Sequence, residues 1–420
     1  MQLLKLADKL KGSSKRYIVF FKWVFISCFI GIFVGLGGTA FHFGIENAIH
    51  MREEFPWIIW LLPISGVIIV FLYNISKMQN DLGTNLIFLS IRSDARVTIK
   101  TAPLIFISTI ITHLCGGSAG REGAALQLGG SLAAPFSKLF RLDEKDRKIL
   151  IMCGMSAGFA SLFGTPVTAI VFSMEVLSVG IMYYSAILPC AISSLVGFGI
   201  ASHFGVQAPF YNLKSIPYLS IKSTALTIVL ALACSLLGII FCVAIKSAGK
   251  YANKFIRNSY LRIIIGGFIV IGLTFLVGCY DYNSAGMNII GNALNGNAKP
   301  EAFALKILFT AVTLGVGFKG GEIIPVFFTG ATFGNVFGKL IGLSPSFGAG
   351  IGLSALFCAV TNCPLTSILL SIELFGVESL PLFVIAIAVS YMLSGYYGLY
   401  SSQKIVYSKT KSEYIDINSI

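Results

Sequence analysis

GREGAALQLGG (120–130) and GGEIIPVFFTG (320–330) stand 200 positions apart and share a frame, with glycine first and last and an acid at the third position. Two more pairs keep the same order at nearly the same offset. GTNLI (83–87) returns as GMNII (286–290), and TPVTAIVFSME (165–175) as CPLTSILLSIE (363–373). In the last pair a proline and a glutamate are nine apart in both copies, Pro166 with Glu175 and Pro364 with Glu373. Three ordered matches mark an internal duplication.

The duplicated chain is a membrane protein. Of its 420 residues 55% are hydrophobic and 12% charged, against about 25% charged in a soluble domain, and its mean hydropathy is +0.83. Apolar runs long enough to enter or cross a bilayer recur at 17–45, 56–77, 101–115, 181–204, 222–245, 260–279, 302–318 and 379–398. They leave no room for a soluble catalytic domain. The net charge of +13 is concentrated at the N-terminus (Lys5, Lys9, Lys11, Lys15, Arg16) and in 92–100, 138–148 and 246–262. That pattern fits short cytoplasmic loops and two cytoplasmic termini, without any nucleic-acid role. The first apolar run continues with no small-residue cleavage site, so residues 1–16 read as a basic interfacial helix rather than a signal peptide. Nine cysteines show no metal-ligand spacing, and four histidines lack the i, i+4 pairing of a helical metal site. No metal or cofactor is expected.

Duplicated transporters commonly pair two inverted repeats, with the substrate near the midplane where helices start or stop inside the membrane. The repeated stretches here are Gly-rich and flanked by interrupted apolar runs, as that arrangement needs. A helix beginning inside the membrane exposes unpaired N–H groups and its positive dipole end, which attract anions. Gly129 and Gly130, further along, are read as close-packing positions. Gly117, Gly120, Gly123, Gly320 and Gly321 are read as backbone elements of the site itself.

Charge inside a membrane is costly and marks function or a specific partner. Glu122 falls in the first turn of the half-helix, the place an anion would occupy, so carboxylate and anion compete there. If protonation releases the side chain, anion and proton movement become linked. Glu322 takes the same place in the second repeat, and two converging carboxylates repel each other, which favours a shared proton. Arg121 is read as a structural tie. Glu175 and Glu373 have equal standing as structural or functional acids, and Lys306 either snorkels to an interface or balances the acid pair.

These residues resemble the CLC family of chloride channels and anion/proton exchangers. GREG (120–123) is similar to that family's GREGP motif. GGEIIP (320–325) takes the place of GxFxP, GTNLI (83–87) that of GSGIP, and GLYSS (398–402) resembles the short last helix with its anion-coordinating tyrosine. The resemblance spans roughly 17–405. It implies an all-α polytopic membrane protein, a CLC-type inverted repeat whose half-helices meet at a central anion site, assembled as a homodimer with one anion path per subunit. It implies a basic segment 1–16, a first repeat 17–205, an extracellular linker 206–221, a second repeat 222–405 and a short cytoplasmic tail 406–420. It implies Glu122 as gating glutamate, Thr84 for the central serine and Tyr400 for the tyrosine. The anion-binding set is then Gly83, Thr84, Asn85, Gly120, Arg121, Gly123, Ile323, Ile324 and Tyr400, with Glu322 as a second carboxylate.

The departures point to one branch. Ala124 replaces the proline after GREG, Ile323 the phenylalanine of GxFxP, and Glu322 stands where an apolar residue is usual. Val176 stands where the family carries its proton-transfer glutamate. The fluoride-exporting branch is similar on these points, with a GxNLI-type stretch and an acid in GGExxP. Its implied activity is fluoride/proton exchange expelling fluoride across the plasma membrane. Fluoride holds water tightly and needs short, strong donors in its place, which Thr84, Asn85, Tyr400 and helix-end amides supply. A chloride/proton exchanger or passive chloride channel of the same fold is the alternative, opposed by Glu322 and Val176. An intramembrane enzyme using Glu122 and Glu322 as an acid pair has no Ser/His, Cys/His or metal set to accompany them.

Overall fold

The computed structural model describes the backbone of residues 2–79, 81–93 and 95–420, and side chains from Arg16 onward. The lysines of the basic segment 1–16 lie outside the described side chains; its backbone continues without a break into the first long helix.

The first half runs through α1 (Gln2–Glu54), a 3₁₀ turn at Pro56–Leu61, α2 (Leu62–Ile75), α3 (Thr84–Arg92), α4 (Thr101–Leu114), α5 (Glu122–Ala133), α6 (Phe136–Leu139), α7 (Glu144–Phe163), α8 (Pro166–Glu175) and α9 (Ile187–His203). An irregular stretch, 204–220, leads to the second. There α10 (Ile221–Phe255), α11 (Ser259–Val277), α12 (Met287–Leu294), α13 (Ala302–Val316), α14 (Ile323–Ile341), α15 (Pro345–Thr361), α16 (Pro364–Phe375) and α17 (Leu380–Leu393) repeat the succession of long, short and half-length helices. The duplicated motifs fall on matching elements: the starts of α3 and α12, of α5 and α14, and of α8 and α16.

Hydropathy finds the outer helices and misses several inner ones. The most apolar window of α14 is 72% buried inside the protein, against 39% for α1, so inner helices face other helices rather than lipid. They can therefore be rich in Gly, Ser and Thr. Their glycines set the spacing. A Cβ on Gly129 of α5 would lie 2.1 Å from the Gly154 carbonyl oxygen of α7, and one on Gly334 of α14 2.1 Å from that of Gly348 in α15. The same close crossing is thus built once in each half, where only backbone-to-backbone contact fits.

Two reciprocal devices join the halves. Glu373, near the end of α16, accepts from the Val167 (2.9 Å) and Thr168 (2.8 Å) amides at the start of α8 and from the Thr168 hydroxyl at 2.6 Å. Glu175, ending α8, does the same to α16 through the Leu365 (3.0 Å) and Thr366 (2.8 Å) amides and the Thr366 hydroxyl at 2.5 Å. Each acid neutralises a helix N-terminus of the other half. Both glutamates thus carry a structural role at the seam between the halves.

The departure from an all-helical chain is small. After α17 the chain forms β2 (Lys404–Tyr407) and β3 (Tyr414–Asn418), antiparallel to each other, with β2 parallel to β1 (Ser178–Val179) after α8. Where a plain tail was expected at 406–420, the alternating sequence YIDIN makes an edge strand. Its end returns to the body: the Ile420 amide donates to the Tyr396 carbonyl at 2.9 Å and the Ser419 amide to that of Gln403 at 2.9 Å.

Candidate functional site

The loops before α5 and α14 meet head to head. The Gly120 amide donates to the Gly321 carbonyl at 2.6 Å and the Gly321 amide to that of Gly120 at 2.7 Å, a two-bond antiparallel bridge. Glycine is obligatory here: a Cβ on Gly321 would lie 2.6 Å from the Gly123 nitrogen, and one on Gly120 3.0 Å from that of Ile324. The bridge brings two helix N-termini together. Neither has a side-chain cap, and the amides of Gly123 and Ala124 in α5 and Ile323 in α14 have no hydrogen-bond partner among the described residues. Unpaired amides converging from two dipoles form an anion-attracting cradle.

Glu122 is the first residue of α5 and wholly buried. Its Oε2 accepts from the Arg121 amide at 3.2 Å, and the Ile324 amide faces the same carboxylate from the other half. Its Oε1 has no hydrogen-bond partner, and Arg121 Nε is 3.7 Å away. The Arg121 guanidinium turns toward α1, with Nη1 3.3 Å from His42 Nδ1. That contact ties the start of α5 to α1.

Glu322 precedes α14, with Oε2 buried and unpartnered. A Cβ on Gly123 would be 3.1 Å from this oxygen and 3.5 Å from the Thr84 hydroxyl. Gly123 therefore makes the space in which the second carboxylate and Thr84 sit beside the start of α5. Thr84 opens α3 behind Gly83, whose φ of +61° suits glycine. Its hydroxyl bonds the Gly123 carbonyl at 3.3 Å and accepts from Gln127 Nε2 at 3.0 Å.

Tyr400 is buried with its hydroxyl unpartnered and its ring edge-on to Phe88 at 4.9 Å. Asn85 does not present its carbonyl to the cradle: Oδ1 accepts from the Ser402 amide (2.9 Å) and hydroxyl (2.8 Å), pinning the 398–402 turn to α3. Ile323 and Ile324 contribute backbone only, their side chains being buried in the core. The structure thus gathers Gly83, Thr84, Gly120, Glu122, Gly123, Glu322 and Tyr400 around one point, with Arg121 and Asn85 supporting from its rim.

Sequence reading passed over Gln127, Phe88 and Ser402. Gln127 was detectable as a lone amide one turn after Gly123 in a helix otherwise of small and apolar residues; Phe88 and Ser402 gave no signal of their own. Val176, where a proton-transfer acid was sought, is fully buried, and its carbonyl accepts from Gln403 Nε2 at 2.9 Å.

Two inverted halves meeting at uncapped helix starts define an anion transporter or channel. A family model described as voltage gated chloride channel matches residues 83–395, and the chain belongs to that family, the CLC family of anion transporters and channels rather than enzymes. It is 34% identical over 395 residues to the chloride/fluoride channel protein of Pseudomonas syringae pv. tomato, covering 92% of this chain and 87% of that one. It is 25% identical to the H(+)/Cl(-) exchange transporter ClcA of Vibrio cholerae, covering 84% and 82%. Among solved structures, a CLC-type fluoride/proton antiporter superposes with a TM-score of 0.88 at 31% identity, covering 92% of this chain and 98% of that one. A slow cyanobacterial Cl-/H+ antiporter shares the fold, with a TM-score of 0.76 at 19% identity, covering 89% and 94%.

Proposed function

We propose that this chain is a fluoride/proton antiporter of the plasma membrane, expelling fluoride with Glu122 as the group that alternately blocks the path and carries the proton. Its frame is a homodimer with the basic loops and both termini in the cytoplasm. The observation that carries the reading is the pair of carboxylates flanking the Gly120–Gly321 bridge. Glu322 Oε2 and Glu122 Oε1 are both buried and unpartnered, beside free helix-end amides and the free Tyr400 hydroxyl. A protonated Glu122 adds one more donor, suited to fluoride because fluoride accepts hydrogen bonds more strongly than chloride. Glu322 serves as a nearby acceptor, in place of the acid absent at Val176. The likeness to a fluoride/proton antiporter and to a chloride/fluoride channel protein supports the choice of ion.

The test is efflux from proteoliposomes loaded with equal fluoride and chloride, read by ion-selective electrodes while external pH is followed. Fluoride should leave faster than chloride and drive protons inward, and Glu122→Gln should abolish the proton movement. Equal or faster chloride efflux would assign the chain to chloride exchange, and full coupling in the Gln variant would remove Glu122 from its role.

A further inference from the structure

We propose a second anion site, separate from the central one: a cavity of about 280 Å³ between the end of α1 and the start of α12, roomy enough for a small monovalent anion together with part of its water. Arg52, in the last turn of α1, is 6% exposed and lines this cavity, and its guanidinium makes no hydrogen bond among the described residues. Met287 and Asn288, also in the wall, begin α12, which carries no side-chain cap. Their amides have no partner among the described residues, the first intrahelical bonds coming from Ile289 and Ile290. A buried guanidinium N–H and two unpaired helix-end N–H groups thus border one space, the donor set a small anion takes.

The charge balance gives the same answer. Lys306, fully buried, donates to the Tyr282 (3.2 Å) and Ser284 (2.7 Å) carbonyls in the loop before α12 and lies 5.0 Å over the Phe328 ring, neither snorkelling to an interface nor paired with an acid. Two buried cations thus stand close to the cavity. The nearby acids are at its rim: Glu53 is exposed and only 3.9 Å at best from Arg52, and Asp281 is paired with Lys299 at 2.7 Å. Buried charge without a close counter-ion is costly, and with Glu53 exposed and 3.9 Å away a small anion in the cavity supplies a closer one. The rim carboxylates select against multiply charged anions.

Position follows from the duplication. The start of α12 is GMNII, the counterpart of GTNLI at the central site, and Gly286 takes φ +74° where Gly83 takes +61°. Lys22, bonded to Asp146 in the first turn of α7 within the basic 138–148 segment, and Arg52 are separated by about 45 Å of α1 at ~1.5 Å per residue, so the cavity lies at the membrane face opposite that segment. It touches the segment leading to Glu122. Asn283 Nδ2 donates to the Gly116 carbonyl at 2.8 Å, the Ser284 amide to that of Gly117 at 3.1 Å and the Ser284 hydroxyl to that of His113 at 3.0 Å.

The experiment is anomalous diffraction at the bromide edge from crystals of the full chain grown at graded bromide concentrations, for the wild type, Arg52→Gln and Arg52→Lys. A peak bounded by Arg52 and the α12 amides, saturating with bromide, absent in Arg52→Gln and present in Arg52→Lys, is expected. An empty cavity at concentrations that fill other positions would overturn the site. So would a peak that survives unchanged in Arg52→Gln. Because the readout is density and not flux, the result stands apart from whether the central site prefers fluoride or chloride.

Discussion

Gly321→Ala tests the head-to-head bridge most directly, because the added methyl meets backbone on the partner strand. It would lie 2.6 Å from the Gly123 nitrogen, 3.1 Å from that of Glu122 and 3.3 Å from Gly123 Cα. No side chain can swing aside to relieve those contacts. Restoring ordinary contact, from 2.6 Å to at least 3.4 Å, needs a separation of about 0.8 Å between the α5 start and the α14 loop. That displacement stretches both bridge hydrogen bonds, worth about 0.5–1.5 kcal/mol each, and moves the two sets of helix-end amides apart. Misplacing a preorganised site by about 1 Å costs on the order of 100-fold in rate. The expected result is fluoride efflux from proteoliposomes reduced roughly 30- to 100-fold, with protein that still elutes as one species in detergent. Gly272→Ala is the control, since nothing lies within 4 Å of its added Cβ, and it should transport normally. Efflux in Gly321→Ala within about twofold of wild type, a difference of only about 0.4 kcal/mol, would refute the bridge as the element that sets the site.

Asn85→Ala removes both bonds that hold Ser402 and should free the turn carrying Tyr400, weakening fluoride binding by about 1–2 kcal/mol in calorimetric titration; unchanged affinity would make the pin irrelevant. Gln127→Leu takes the 3.0 Å donor from the Thr84 hydroxyl and should lower transport about tenfold with little change in unfolding temperature, so a purely thermal effect would count against its place in the site. Glu175→Ala and Glu373→Ala each strand two amides and a hydroxyl, an expected loss of about 1–3 kcal/mol for each group left buried and unpaired in thermal melts. The loss should be larger for Glu175, 8% exposed, than for the more open Glu373, and melting at the wild-type temperature would show that the caps do not hold the halves together.

Much of this was legible in the chain because duplication prints each structural device twice. The Pro-to-Glu spacing of nine marked α8 and α16 as equal units, and the third-position acids marked the starts of α5 and α14. Partners joined only by tertiary contact were not legible. Nothing local to Glu175 says that it caps the start of α16, nor does anything near Asn85 point to Ser402, 317 residues away. Lys306 misled for the same reason: a lysine in an apolar run suggests an interface, while its carbonyl partners lie in a loop whose path depends on the whole second half. The strand pairing of β1 with β2 likewise joins residues more than two hundred positions apart.

The symmetric frame explains why a site exists at this place, and the broken symmetry explains what it can do. Inverted halves oblige two helix N-termini to converge at the Gly120–Gly321 bridge, which makes an anion cradle whatever side chains surround it. The acids are equivalent in sequence but not in the helix. Glu122 is the first residue of α5, whereas Glu322 stands just before α14, whose first residue is Ile323. That offset leaves Glu122 bonded to its own loop, with the Ile324 amide of the other half facing it, while Glu322 is pressed against Gly123 beside Thr84. Thr84 in turn has Met287 as its sequence counterpart, which lines the separate cavity at the start of α12, so only one repeat brings a hydroxyl to the bridge. Tyr400, on the turn after α17, falls outside the three repeated stretches. A path with two like ends has no reason to couple opposed flows; under the proposed exchange, these inequalities are what make its two ends differ.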